Sequence, residues 1–312
     1  MAIKNKRIVV TGGAGFIGTN LIEDLAKANE VVALDNMHTG KAENLKHAMA
    51  KYGVKLVKGD SGKIEKAMKK PDLIFHLGMY SASPMYKAHN EYLAEVVKEA
   101  EELFKYAASN DIKVVFASTS SIYNGHKPPH KETMIPVVTD FYTEARIAVE
   151  RLAELYSKMY DLDVVGLRFF SVYGPHEESK GKYANLITQF LWDAMKGKRP
   201  VIYGDGSQAR DFIYVADIVE ALTKAATSQK TKSYDIINAG TSKSYTLNEM
   251  VRMLSAASGF EIRPKYITNP VKNYVQTTKA DTTKAKRILN FSAKYTLQMG
   301  LKETVGYYKR LR

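Results

Sequence analysis

The chain has 312 residues, of which 45% are hydrophobic and 25% charged, with a formal net charge of +13. It is long enough to bury a sizeable core in two lobes, and no segment approaches membrane-spanning length. There is no cysteine, so disulfides, thiolate nucleophiles and zinc–cysteine centres are excluded, and no metal site is expected. The basic residues are scattered. Lys66–Lys70 and Lys309–Arg312 form short clusters without interleaved aromatics, so the charge reads as a solvated surface rather than a nucleic-acid interface. The first apolar run starts almost at Met1, which leaves no room for a leader, and a cytoplasmic location is expected.

Arg7-Ile8-Val9-Val10 reads as a buried parallel strand. It runs into Thr11-Gly12-Gly13-Ala14-Gly15-Phe16-Ile17-Gly18, and Phe16, Ile17, Leu21, Ile22 and Leu25 then recur at helical spacing. A glycine turn between a strand and a helix lets the backbone approach a pyrophosphate, and the helix N-terminus supplies N–H groups and partial positive charge. The next strand, Val31–Leu34, ends in Asp35, about 20 residues past the middle glycine. A carboxylate there accepts from both adenosine ribose hydroxyls and repels a 2′-phosphate, which favours NAD over NADP.

Further apolar runs at Val54–Val57, Leu73–His76, Val114–Phe116 and Val164–Leu167 alternate with helical patterns. That alternation predicts an α/β, Rossmann-type, doubly wound parallel sheet. After Phe170 the pattern becomes irregular, with a helix at Tyr183–Met195, a strand at Val201–Tyr203, a helix at Ala216–Ala226 and a strand at Tyr234–Ile237. Thr246-x-x-Glu249 is a capping box that opens a helix to about Ala257. A strand near Glu261–Tyr266 and helices near Thr283–Leu289 and Leu297–Tyr308 complete the chain. The expected division is a cofactor domain of residues 1–167 plus about 211–240, and a smaller, interleaved α+β substrate lobe of 168–210 and 241–312.

The fifth strand ends in Ser118-Thr119-Ser120-Ser121-Ile122-Tyr123, which carries hydroxyls to a strand C-terminus. A helix then opens at Asp140, with Tyr142 and Arg146 at i, i+4 on one face. One positive charge about 5 Å from a phenolate, at an effective dielectric of about 20, favours it by roughly 3 kcal/mol. The bland alternatives are a surface tyrosine and an Arg146–Glu150 ion pair. Two amphipathic stripes, Tyr92, Val96, Leu103 and Ala107, and Ala145, Leu152, Leu155 and Met159, either pack on the sheet or form a homodimer interface, and the homodimer is the expected state.

Together with Asp35-Asn36, Gly59-Asp60, Phe75-His76-Leu77, Leu167–Pro175, Gly204–Val215 and Gly300–Tyr308, these stretches resemble the extended short-chain dehydrogenase/reductases. The branch is that of NAD-dependent nucleotide-sugar epimerases and dehydratases typified by UDP-galactose 4-epimerase. The resemblance implies that Gly12, Gly15, Phe16, Ile17 and Gly18 hold the NAD pyrophosphate, and that Asp35 and Asn36 hold the adenosine ribose. It also implies that Asp60 and Ser61 contact adenine and that Leu77 lines the cofactor. Thr119 is then the hydroxyl that bonds the reacting sugar, and Tyr142 is the general base, with Arg146 beside it. Ser171, Asn185, Tyr203, Arg210 and Lys272 fall where the nucleotide-sugar substrate, most simply a UDP-sugar, is held.

Several positions depart from the family's pattern. Arg146 stands where that pattern has lysine, Ser171 replaces a substrate-binding asparagine, and Val271-Lys272 replaces a second diphosphate arginine. Tyr173–Gly181 resembles heptose-nucleotide 6-epimerases, which makes Lys180 a second acid/base candidate against a solvated loop lysine. Ser120 and Ser121 stand where dehydratases carry an acid pair, which argues against water elimination; decarboxylases are disfavoured for lack of a glutamate there. The implied activity is epimerisation through a transient 4-keto sugar. The alternatives are a net dehydrogenase on the same scaffold and a non-catalytic NAD-binding protein.

Overall fold

The computed structural model describes residues 3–231, 233–270 and 275–311. The chain opens with β1 (Arg7–Thr11), α1 (Phe16–Leu25), β2 (Glu30–Asp35), α2 (Lys46–Tyr52), β3 (Lys55–Lys58), α3 (Ile64–Ala67) and β4 (Leu73–His76). Helices α4 (Ser83–Ala88) and α5 (Tyr92–Ser109) lead to β5 (Lys113–Thr119), α6 (Phe141–Tyr160) and β6 (Val164–Phe169). Then come β7 (Ser171–Tyr173), α7 (Leu186–Met195), β8 (Val201–Tyr203), β9 (Ala209–Arg210), β10 (Phe212–Tyr214), α8 (Val215–Thr227) and β11 (Tyr234–Ala239). The last elements are β12 (Tyr245–Thr246), α9 (Leu247–Ser258), β13 (Lys265–Ile267), α10 (Thr283–Leu289) and α11 (Leu297–Arg310).

Seven strands form one sheet in the order β11-β6-β5-β4-β1-β2-β3, and every pairing in it is parallel. Alternating side chains send Ile8 and Val10 into a layer with Leu21, Ile22, Ile218 and Leu222, and Val9 into the opposite layer with Leu103, Phe104 and Ala145. Strand order reverses between β1 and β4, and ligands of such sheets bind beyond the strand C-termini at that point. The smaller core, including Phe190, Leu191, Ile202, Leu254 and Leu301, is built from the helices and short strands of the C-terminal half.

The predicted elements are present, and Leu73–His76 and Thr283–Leu289 keep their predicted bounds. Thr246 and Glu249 close the predicted capping box. The strand expected near Glu261–Tyr266 is confined to Lys265–Ile267, because Pro264 has no N–H and the Ile262 N–H goes to the Ser255 hydroxyl. The helix expected from Tyr183 begins at Leu186; a short 3₁₀ segment, Glu178–Tyr183, precedes it. The two amphipathic stripes divide. Val96, Leu103, Ala107 and Ala145 are buried in the chain's own core, whereas Leu155 and Met159 are 51% and 64% exposed.

Candidate active site

The glycine turn is shaped by close approach. Gly12 has φ +65°, and a Cβ on it would lie 2.8 Å from the backbone of Gly78. A Cβ on Gly18 would lie 2.1 Å from the Gly12 carbonyl. At Gly15 the added atom would meet only the Gly12 carbonyl, at 3.2 Å, so its missing side chain keeps the cleft floor open. Gly15 also caps α1 without a side-chain bond, which leaves the first-turn N–H groups for a ligand. Asp35 is buried, accepting from the N–H groups of Ala14 at 3.0 Å and Met37 at 2.8 Å. Burial pushes its carboxyl above the usual range, and those two bonds oppose the shift.

A cleft of about 320 Å³ lies over this turn at the C-terminal ends of the sheet strands. Gly12, Gly15, Phe16, Ile17, Gly18, Asp35, Asn36, Ser61 and Leu77 all line it. Asp60 is not part of that lining; it is exposed at the end of β3, where its carbonyl accepts from the Lys63 N–H. The Ser61 hydroxyl donates to the Gly78 carbonyl at 2.7 Å, and its N–H donates to Glu99. Met79 and Tyr80, absent from the sequence-derived site, also line the cleft. Their signal was available, since they directly follow a strand whose C-terminus faces the switch point.

At the far end stand Thr119, Tyr142 and Arg146. The Thr119 hydroxyl accepts from the Ser121 N–H at 3.1 Å, so its O–H proton is left to donate elsewhere. Asp140 caps α6 through the Thr143 N–H at 2.9 Å, which fixes Tyr142 in the first turn. The Arg146 guanidinium carbon is 5.2 Å from the Tyr142 ring centroid. Its terminal nitrogens donate to the Met79 sulfur and the Tyr80 carbonyl. It is not paired with Glu150, whose carboxylate takes Arg168 at 2.9 and 2.7 Å and the Ser118 hydroxyl at 2.5 Å. The Arg146 Nε–H is buried with no acceptor. The open floor at Gly15 and the free N–H groups of the first turn of α1 fit the pyrophosphate of a dinucleotide.

His76, at the end of β4, is fully buried. His76 Nδ1 lies 2.8 Å from Thr11 Oγ1, which also accepts from the Gly78 N–H. Burial, reinforced by the Arg146 charge, pulls its pKa down to about 3.

Of the predicted substrate residues, Ser171 lines the cleft. Asn185 caps α7 through the Ile187 N–H, donates to the Val172 carbonyl, and is not part of the cleft lining. Tyr203 lies at the end of β8, and Arg210 donates to the carbonyls of Ala209 and Gln276; neither belongs to the cleft lining. Lys272 lies outside the described residues. Lys180 is not a solvated loop lysine. Its side chain is 16% exposed, and it lines the cleft above Phe16.

The family model of the NAD dependent epimerase/dehydratase family matches residues 8–240. A UDP-N-acetylglucosamine 4-epimerase from Methanobrevibacter ruminantium, solved with UDP-N-acetylmuramic acid, superposes with a TM-score of 0.93 at 31% identity, covering 99% of this chain and 100% of that one. A UDP-glucuronic acid 4-epimerase from Bacillus cereus, solved with UDP-glucuronic acid and NAD, gives 0.86 at 27% identity, covering 98% and 99%. A UDP-N-acetyl-alpha-D-glucosaminuronate decarboxylase from Bacillus cytotoxicus is 29% identical, covering 98% of each chain.

Proposed function

The chain belongs to the NAD dependent epimerase/dehydratase family, and we propose that it epimerises a nucleotide-diphosphate sugar, with a UDP-hexose inverted at C4. The observation that carries this reading is the grouping of Thr119, Tyr142 and Arg146 on one wall of the cleft whose floor is the glycine turn. Tyr142, as phenolate, takes the proton of the sugar C4 hydroxyl. Thr119 donates its remaining O–H to the same oxygen and fixes its position. Arg146 supplies a permanent positive charge beside the phenol ring. NAD, when bound, supplies a reversible hydride acceptor, so the 4-keto sugar is reduced again after presenting its other face. In this reading, residues 1–167 with about 211–240 bind the cofactor, and 168–210 with 241–312 bind the sugar nucleotide.

The purified protein is incubated with UDP-glucose, UDP-galactose, their N-acetyl forms and UDP-glucuronate, and the products are separated chromatographically. Interconversion at C4 without accumulating NADH is expected. No interconversion in any nucleotide series refutes the reading. Carbon dioxide released from UDP-glucuronate moves the chain to the decarboxylases, one of which it resembles along its length. The exposed Leu155, Met159 and Tyr160 on α6 support a homodimer, which light scattering measures directly. A cytoplasmic setting remains part of this reading.

A further inference from the structure

The segment Glu178–Tyr183 and the residues just before it lie across the glycine turn. Asn20 Nδ2 donates to the Pro175 carbonyl at 3.1 Å, and Asn44 Nδ2 donates to Ala14 O at 2.9 Å and to Ser179 Oγ at 3.5 Å. This seats the Lys180 Nζ 5.5 Å from the Phe16 ring centroid, directly over the start of α1.

The ammonium is poorly satisfied there. Among the described residues its one carboxylate neighbour is Glu177, at 3.9 Å, beyond hydrogen-bond distance. The Glu177 oxygens are already taken by the Asn185 N–H at 2.8 Å and the Thr188 hydroxyl. Burial accordingly pulls Lys180 below the ordinary lysine range. Of the lysine and arginine side chains in the cleft lining, Arg146 is at the nicotinamide end and already donates to Tyr80, whereas Lys180 stands over the glycine turn. The turn offers N–H dipoles to a diphosphate but no full charge, and a lysine held over it with unspent donors supplies that charge.

We propose that Lys180 binds the diphosphate of NAD from above, so that the cofactor is held between the glycine turn and the 176–183 segment. The proposal rests on the reading that this cleft takes NAD. Its role is to position the cofactor, which separates it from a proton-transferring lysine.

The test compares wild type, Lys180→Met and Lys180→Arg after removal of copurified cofactor. NAD is titrated calorimetrically into each protein, and UDP is titrated into the NAD-saturated forms. Losing a charge-assisted contact to a diphosphate raises the NAD Kd by about 10- to 100-fold in Lys180→Met. The arginine variant keeps most of the affinity, and the difference between wild type and Lys180→Met narrows as salt is added. UDP affinity stays unchanged. An unaltered NAD Kd in Lys180→Met overturns the proposal. So does a weakened UDP with normal NAD, because the diphosphate is then the substrate's. A large loss of turnover at saturating NAD with an unchanged NAD Kd also overturns it in favour of proton transfer. If wild type itself binds no NAD, the functional reading has failed rather than the assignment of Lys180.

Discussion

Arg168→Met is the perturbation whose cost is set most directly by the geometry. Arg168 and Glu150 are paired through two nearly parallel bonds of 2.9 and 2.7 Å, with side chains only 6% and 7% exposed. Charge centres about 4 Å apart at an effective dielectric of about 20 attract by roughly 4 kcal/mol. Removing one partner strands the other as a nearly buried charge, at a cost of about 3–5 kcal/mol, a large share of typical domain stability. Arg168→Met leaves the Glu150 carboxylate with the Ser118 hydroxyl alone and deprives the Tyr123 hydroxyl of a partner at 2.9 Å. Glu150→Leu strands the guanidinium in turn. The double variant leaves no charge behind and is expected within about 2 kcal/mol of wild type, far less than the sum of the singles. Guanidinium unfolding of the four proteins at pH 7 closes the cycle. A loss below about 1 kcal/mol in Arg168→Met, or additive singles, refutes the argument that this buried pair is mutually dependent.

Tyr142→Phe keeps the ring packed on Tyr86, at 5.6 Å, while removing the phenol oxygen; turnover should fall about 10²- to 10⁴-fold with NAD retention unchanged. Cofactor loss in step with activity would show that the residue binds rather than reacts. Gly15→Ala should fold, since its new methyl meets one carbonyl at 3.2 Å, yet lose NAD affinity because the methyl enters the cleft; Gly18→Ala, with 2.1 Å to the Gly12 carbonyl, should lose both fold stability and binding. Thermal melts with and without NAD separate the two. His76 is held neutral in the folded state down to about pH 3, whereas the unfolded chain takes the proton near its ordinary pKa of 6.5. Its contribution to stability is therefore present above pH 6.5 and lost as pH falls towards 3, at about 1.4 kcal/mol per pH unit. His76→Leu should lack that slope, and equal acid slopes for the two proteins in denaturant titrations at pH 4–6.5 would contradict the assignment.

The glycine turn and the Tyr142–Arg146 helix face were legible in the sequence because their signals are local. Gly18 is required by its close approach to Gly12, and Gly12 by the backbone of Gly78 just past the adjoining strand, while Asp35 ends a strand whose neighbour is fixed by the parallel order. Tyr142 and Arg146 share a helix face by periodicity alone, and the Asp140 cap fixes where that helix begins. Choices among partners far apart in the chain were decided by tertiary structure. The i, i+4 spacing allowed an Arg146–Glu150 pair, but β6 lies beside β5 and brings Arg168 to that carboxylate, freeing Arg146 for the cleft. That Asn185 caps α7 and donates to the Val172 carbonyl follows from how the 172–186 segment folds back on itself. The resemblance of Tyr173–Gly181 marked Lys180 but left a solvated lysine open; the contacts of Asn20 with Pro175, 155 residues away, and of Asn44 with Ser179 fold its segment over the glycine turn. Hydrophobic periodicity and turn chemistry act within a few residues and are written in order along the chain. The pairing of buried charges and the lining of a cleft depend on which strands end side by side, and that is settled only when the sheet is assembled.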